Sequence, residues 1–223
     1  EVFYMKTIHV MSGGMDSAVL LYDLISDKEN EVKCISFNYG QRHSKELNYA
    51  YNLCANLNVP WDVVDLSDAK KLLKGSSQTD DSIDVPHGHY EEENMKQTVV
   101  PNRNMIMLSL ATAYAISSGY DAISYAAHNG DHAIYPDCRK EFVGALQGAI
   151  DLCDWHKVSI YAPFLDKRKE DIVVIGEHLQ VPWAATWSCY EGGALHCGKC
   201  GTCQERIEAF KIAGVDDPTA YSI

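Results

Sequence analysis

Ser12-Gly13-Gly14-Met15-Asp16-Ser17 follows directly on the apolar run Ile8-His9-Val10-Met11. The order is strand, glycine-rich turn, helix start. Paired glycines let backbone N–H groups close on an anion without Cβ interference. Ser17 opens a helix, whose positive N-terminus adds to the same field. The segment therefore reads as a phosphate cradle. It is not a Walker A loop, because no Gly-Lys-Ser/Thr follows.

Outward from this turn, the chain alternates between two periodicities. Residues 6–11 read as a strand. Residues 17–26 read as a helix with Ala18, Leu21, Tyr22 and Ile25 on one face. Val32 to Asn38 reads as a second strand. Ser44 caps a predicted helix to about Asn56, with Leu47, Ala50, Tyr51 and Cys54 at helical spacing. Asp62 to Leu66 reads as a third strand, which completes βαβαβ and predicts a parallel sheet with helices on both faces. Residues 67–98 are polar, with Gly75, Pro86, Gly88 and the run Glu91-Glu92-Glu93. So long a loop in a compact domain reads as a mobile flap at the sheet's carboxyl edge. Beyond it, Asn104–Ser117 and Asp137–Cys153 read as helices and Tyr120–Ala127 as a fourth strand. Val158–Ala162 and Ala184–Trp187 read as short strands around a helix near 169–179.

The 223 residues are 46% hydrophobic and 22% charged, which suits one α/β domain with a small appendage. We divide the chain at residue 188, into an α/β body over 5–188 and a tail over 189–223. Met5 reads as a natural start, with residues 1–4 an added remnant. No apolar run approaches the ~20 residues of a membrane span and no secretory signal is visible, so a cytoplasmic protein is expected. A net charge of −12 disfavours stable nucleic-acid binding while leaving room for a small ligand in a local basic pocket.

Of eight cysteines, Cys34, Cys54, Cys138 and Cys153 are scattered. Cys34, Cys54 and Cys153 fall on apolar faces and read as core. Cys189, Cys197, Cys200 and Cys203 cluster as C-x7-C-x2-C-x2-C. Thiolates two residues apart turn around one ion, and four soft sulfurs favour closed, structural, tetrahedral zinc. An iron–sulfur cluster is the rival, weakened by the lack of a proline after the last cysteine. His196 adjoins Cys197 and reads as a solvated loop histidine. His9, His87, His89, His156 and His178 show no ligand-type clustering.

The loop at 12–17 resembles the SGGxDS pyrophosphate loop of the N-type ATP pyrophosphatases. Phe37-Asn38-Tyr39-Gly40-Gln41-Arg42-His43, Val100-Pro101-Asn102-Arg103-Asn104 and Tyr135-Pro136-Asp137-Cys138-Arg139 follow in order, and the cysteine quartet closes the series. Together the five pieces resemble the 7-cyano-7-deazaguanine synthase family, over about 6–222. That resemblance implies an adenine-nucleotide α-hydrolase-like sheet, commonly in a homodimer. It implies ATP and Mg²⁺ beside Zn²⁺, and a deazaguanine acid with ammonia as substrates. The carboxylate is adenylated, ammonia displaces AMP, and the resulting amide is activated again to leave a nitrile.

Such chemistry needs donors, cations and a metal aimed at pyrophosphate. The nucleotide set is Ser12, Gly13, Gly14, Met15, Asp16, Ser17, Phe37 and Arg42, with anionic Asp16 working through Mg²⁺ or by ordering the loop. Arg103 is the cation expected at phosphate or substrate carboxylate, since a guanidinium pairs such groups bidentately. Ala162-Pro163-Phe164 followed by Lys169-Glu170-Asp171-Ile172 resembles the family's lysine-containing stretch, which selects Lys169 over Lys167 to neutralise departing pyrophosphate. Asp16, Arg103 and Lys169 are thus the expected catalytic residues. Asp131 is placed to pair the guanine-like edge of the substrate, with Tyr135, Asp137 and Arg139 close by. Phe142 reads as a core residue. His128 and Asn129 depart from the glycine-valine-cysteine pattern of many bacterial members. Two other activities share the fold: an amide-forming enzyme that stops at 7-amido-7-deazaguanine, and a tRNA-thiolating pyrophosphatase. The second is opposed by the acidic balance. A nucleotide-binding zinc-knuckle regulator is the non-enzymatic alternative.

Overall fold

The computed structural model describes residues 5–89 and 92–222. Five parallel strands form one sheet: β1 (Lys6–Val10), β2 (Glu31–Asn38), β3 (Trp61–Asp65), β4 (Ala122–Ser124) and β5 (Ser159–Tyr161), in the order β3-β2-β1-β4-β5. Register is set by runs such as Thr7, Ile8 and His9 against Val32, Lys33 and Cys34 on one side and Ala122, Ile123 and Ser124 on the other. The central strands are buried on both faces, as a covered parallel sheet requires.

Six helices cover the faces: α1 (Met15–Ser26), α2 (Glu46–Asn56), α3 (Arg103–Ser118), α4 (Lys140–Ile150), α5 (Lys169–His178) and α6 (Gly201–Ala213). On one face α1, α2, α5 and α6 share a core of Met15, Leu20, Leu53, Ile172, Val173 and Phe210. On the other, α3 and α4 pack Leu108, Ala111, Ala115, Leu146 and Ile150 against Ile8 and Ile123. The doubly wound α/β architecture expected from the repeated strand-helix alternation is the one observed. The tail after Cys189 contributes Ala209 and Phe210 to the body's core.

Several boundaries differ from expectation. β4 stops at Ser124 instead of Ala127, because paired neighbours on both sides run only to His9 and Tyr161. The freed residues 125–127 turn toward the ligand crevice. The helix expected from Asp137 starts at Lys140, because Arg139 is extended (φ −87°, ψ 157°); Pro136–Cys138 is a separate 3-10 turn. Ala184–Trp187 is not a strand. Trp183–Ala185 is a 3-10 turn, closed by Ala185 N–H to Pro182 O (2.7 Å) and Thr186 N–H to Trp183 O (3.1 Å). Nor is 67–98 a free flap. Ser76 to Thr79 are buried, Arg42 N–H donates to Gln78 O (2.8 Å), and Gly88 N–H donates to Lys199 O (3.1 Å). Of the acidic run, Glu91 lies outside the described residues and Glu93 is a surface partner of Lys96. Phe142 packs on the core as expected. Cys34 and Cys54 are buried, but Cys153 is exposed, because α4 ends at Ile150 before bringing it onto the apolar face.

Candidate active site

Strand order reverses between β1 and β4, which lead away from each other into β2 and β5. In open α/β sheets the crevice at such a switch point receives ligands. Here it is a cavity lined by the 12–17 loop, residues 125–127 and side chains from α2, α3, α5 and α6.

The loop is held from three sides. Gly13 has φ +90°, and a Cβ there would stand 2.2 Å from the Glu46 carbonyl oxygen. Glycine is therefore required by conformation and by the close approach of α2. Trp187 N–H donates to Gly13 O (2.9 Å), and the Ser12 and Ser17 hydroxyls bond each other at 2.9 Å. Beneath the loop, fully buried His9 lies 2.9 Å from both Ser17 O and Ser124 Oγ. A carbonyl only accepts, so Nε2 carries the proton and Nδ1 accepts from Ser124. Burial lowers the His9 pKa to about 4, against the two hydrogen bonds, so the ring is neutral at pH 7.

At one pole of the cavity sits an ionic cluster. Lys169, the first residue of α5, places Nζ 2.7 Å from Asp16 Oδ2, 3.2 Å from Glu205 Oε2 and 3.2 Å from His128 Nε2. Burial alone pushes the ammonium toward neutrality. The carboxylates of Asp16, Glu205 and Asp131 outweigh it and hold Lys169 above the ordinary lysine range. Burial pushes the Glu205 carboxyl up, against Lys169 and His128. Asp131 Oδ2 accepts from His128 N–H (3.2 Å), which fixes the turn carrying both residues. Asp16 Oδ1 is buried with no hydrogen-bond partner among the described residues. An unpartnered carboxylate oxygen at the cavity wall fits a divalent cation with oxygen ligands.

At the other pole, Arg103 opens α3 after Asn102, whose left-handed φ of 59° turns the chain into the cavity. Burial opposes its charge, while Tyr39, Tyr190, Tyr135 and Asp137 more than restore it. No carboxylate forms an ion pair with Arg103 among the described residues. Tyr135 hydroxyl bonds Thr98 Oγ1 (2.6 Å) and Tyr190 hydroxyl (3.3 Å), which stiffens the ring wall around the guanidinium. Asp137 accepts from Asn104 N–H (3.2 Å) and so holds the start of α3 without lining the cavity.

Ser12, Gly14, Met15, Asp16, Ser17, Phe37, Arg103, Asp131, Tyr135 and Lys169 all line this one space. Gly13 shapes it from behind. Arg42 does not reach it: its guanidinium donates to the carbonyls of Asp80 (3.2 Å) and Ile83 (2.8 Å) in the packed loop. Arg139 is likewise turned away, donating to His132 O (2.9 Å).

Cys189, Cys197, Cys200 and Cys203 bring their sulfurs within 4.8 Å of one another. Cys197 and Cys203 sulfurs are 3.9 Å apart. Tetrahedral zinc with Zn–S of about 2.3 Å puts sulfurs about 3.8 Å apart. A cubane cluster, with each thiolate on a different iron, needs wider spacing. The donor set thus fits a single tetrahedral metal such as zinc. His196 is buried, not solvated. Its Nε2 accepts from Ser188 N–H (3.1 Å) and its ring lies 4.2 Å from that of Trp187, so it braces the knuckle.

The sequence profile described as queuosine biosynthesis protein QueC matches residues 6–214. This chain belongs to the QueC family. The 7-cyano-7-deazaguanine synthase of Caldicellulosiruptor saccharolyticus is 54% identical over 98% of this chain and 96% of its own length. That of Methanoregula boonei is 54% identical over 97% and 99%. Among solved structures, the U34-tRNA thiolase NcsA of Methanococcus maripaludis, with its [4Fe-4S] cluster, superposes with a TM-score of 0.54 at 16% identity. It covers 93% of this chain and 64% of that one. The NMN synthetase of Francisella tularensis gives 0.54 at 14%, over 95% and 78%. These two likenesses place the QueC-family chain in the adenine-nucleotide α-hydrolase-like fold and say nothing of its substrate.

The QueC-family cavity also contains Tyr39, Tyr125, Tyr190 and Glu205, which sequence reading did not single out, while His43, beside Arg42 at the start of the second helix, lines it as well. Tyr125 hydroxyl and His43 Nδ1 are buried with no hydrogen-bond partner among the described residues. Tyr39 lies inside the motif at 37–43 and was within reach. Tyr190 adjoins Cys189, and Glu205 lies two residues beyond Cys203, both next to cysteines of the quartet.

Among the described residues no helix is long and apolar enough to cross a membrane.

Proposed function

We propose that this chain makes 7-cyano-7-deazaguanine from 7-carboxy-7-deazaguanine, ammonia and two molecules of ATP. A carboxylate oxygen of the acid attacks the α-phosphorus of ATP and releases pyrophosphate. Ammonia adds to the acyl adenylate, AMP leaves with that oxygen, and a primary amide forms. The amide oxygen attacks a second ATP, again releasing pyrophosphate. Loss of AMP and a proton from the imidate then leaves the C≡N bond. No step changes oxidation state, and each departing oxygen leaves on AMP.

The observation that carries this reading is one cavity lined both by the ionic cluster around Lys169 and by Arg103. Lys169 lies beside the 12–17 loop, and Arg103, lining the same cavity, has no carboxylate ion-pair partner among the described residues. In this reading the loop amides and Lys169 hold the phosphates, and Lys169 neutralises charge as pyrophosphate departs. Arg103 pairs the substrate carboxylate and Tyr135 lines the base. Asp131 takes the amidine edge. Mg²⁺, held through the free oxygen of Asp16, supplies charge neutralisation on the triphosphate. Zinc on the four cysteines is structural, because four sulfur ligands leave no open position.

The test is turnover of synthetic 7-carboxy-7-deazaguanine with ATP, Mg²⁺ and ammonium, read by mass spectrometry and nucleotide chromatography. The expected result is nitrile with two AMP and two pyrophosphate per product. Accumulation of amide with one AMP would replace this reading by the half-reaction. ADP with orthophosphate would overturn the activation chemistry itself.

A further inference from the structure

The metal knuckle and the ionic cluster are usually separable parts of a protein, one structural and one functional. Here a single helix joins them. α6 begins at Gly201, between the ligands Cys200 and Cys203, so its first turn is set by the metal site. Glu205 follows on the next stretch of that helix and reaches into the cavity. Its Oε2 lies 3.2 Å from Lys169 Nζ and its Oε1 3.9 Å from His128 Nε2, with 12% of the side chain exposed. A second strut starts before the first ligand. Trp187 N–H holds the Gly13 carbonyl (2.9 Å), two residues ahead of Cys189. Thr202 hydroxyl donates to Ser188 O (2.7 Å) and ties the two struts together. Fully buried Arg206 fixes the rest of α6 by donating to Asp217, Thr186 and Trp183 O.

We infer that Glu205 is a positioning residue that holds Lys169 at the phosphate loop, and that the tetrahedral metal on the four cysteines sets where Glu205 stands. Two carboxylates, Asp16 and Glu205, then clamp the ammonium from separate elements. Asp16 comes with the phosphate loop, and Glu205 comes with the knuckle. Removing either leaves Lys169 a single carboxylate anchor and lets it leave the line of the departing pyrophosphate. The inference rests on the functional reading only in calling Lys169 catalytic. The coupling itself is a statement about geometry.

Acylation of lysine amines by a water-soluble succinimidyl ester, mapped by peptide mass spectrometry, reads the clamp without turnover. Lys167, two positions away and exposed, is the internal reference. In the metal-loaded protein Lys169 is expected to label at least tenfold more slowly than Lys167. Glu205→Gln is expected to raise Lys169 labelling about tenfold at unchanged metal content and unchanged Lys167 labelling. Glu205→Asp should fall between the two. Chelation of the metal should raise Lys169 labelling in the wild type and add little in Glu205→Gln. In AMP formation, Glu205→Gln should lower kcat about tenfold or more while shifting KM for ATP less than threefold. Labelling of Lys169 that is the same in Glu205→Gln as in wild type would overturn the clamp. Labelling that rises in Glu205→Gln but is untouched by chelation of a still-folded protein would overturn the link to the metal. Absence of AMP formation in the wild type would sink the functional reading and leave both labelling outcomes decisive.

Discussion

Lys169 Nζ and Asp16 Oδ2 are 153 positions apart in sequence and 2.7 Å apart in space. The pair joins the first turn of α1, which carries Asp16, to the start of α5, which carries Lys169. Two helix N-termini thus converge on one ion pair, with the anion-seeking ends of both aimed the same way. Replacing Lys169 with Ala removes the cation and leaves Asp16 and Glu205 as half-buried carboxylates without it. AMP formation should fall about 10²–10³-fold, the size seen when one transition-state donor is lost. Lys169→Arg should not rescue, because a planar fork does not fit a point-charge position. Pyrophosphate release with the deazaguanine acid present is the measurement, and a loss under threefold would remove Lys169 from the chemistry.

The two loop glycines should respond differently to alanine. At Gly13 the added Cβ meets the Glu46 carbonyl at 2.2 Å on a backbone with φ +90°. Either the loop or α2 must move, at a cost of about 2 kcal/mol or more. At Gly14, where φ is −74°, the nearest heavy atom is the Ser12 hydroxyl at 3.2 Å, a side-chain atom able to shift. Gly13→Ala should lower the melting temperature and abolish ATP binding. Gly14→Ala should fold near wild type and weaken ATP binding about tenfold or less. Paired melts and calorimetric titrations check both, and equal melting temperatures for the two variants would contradict the loop geometry.

The strands and the loop were legible because each is a local event. Ile8 to Met11 followed by Ser12-Gly13-Gly14 contains its own period and its own breaker. The partners of Lys169 were not, because Glu205 and His128 come from remote elements that no window of sequence brings together. His128 was noted only as a departure from a pattern, yet its ring accepts from Gly130 N–H and stands within 3.2 Å of Lys169. Arg42 shows the converse failure. Its position beside the crevice was readable, but its rotamer is decided by the carbonyls of Asp80 and Ile83, across a loop whose packing has no periodic signal. Residues 184–187 looked like a strand by composition. Pro182 and the demand of Arg206 for the Trp183 carbonyl make them a turn.

His9 makes stability depend on pH in a defined direction. Its pKa falls from 6.5 to about 4 on folding, so between those values the unfolded chain binds the proton and the folded one does not. Stability therefore rises with pH across this window and is lost as pH falls from about 6.5 toward 4. Between pH 8 and pH 5 this one ring accounts for about 2 kcal/mol. His9→Gln should be less stable than wild type at pH 8, having lost one or both buried hydrogen bonds, and should lose about 2 kcal/mol less than wild type on going to pH 5. Urea titrations at the two pH values give both numbers. Parallel pH slopes in the two proteins would exclude His9 as the source.

Arg103 separates the substrate half of the reading from the nucleotide half. It lines the same cavity as Lys169, walled by Tyr39, Tyr135 and Tyr190, with no carboxylate in an ion pair with it among the described residues. A guanidinium drawn largely out of water without a carboxylate partner is costly unless a ligand supplies one. The acid substrate does so directly, and ATP does so only if its phosphates reach across. Arg103→Lys keeps the charge and loses the fork, so KM for 7-carboxy-7-deazaguanine should rise about tenfold or more while ATP affinity measured without the acid changes little. The amide carries no charge for Arg103 to pair. Offered as a starting substrate, it should therefore be less sensitive to Arg103→Lys than the acid is. Equal loss on acid and amide, together with weakened binding of ATP alone, would move Arg103 from the substrate to the phosphates.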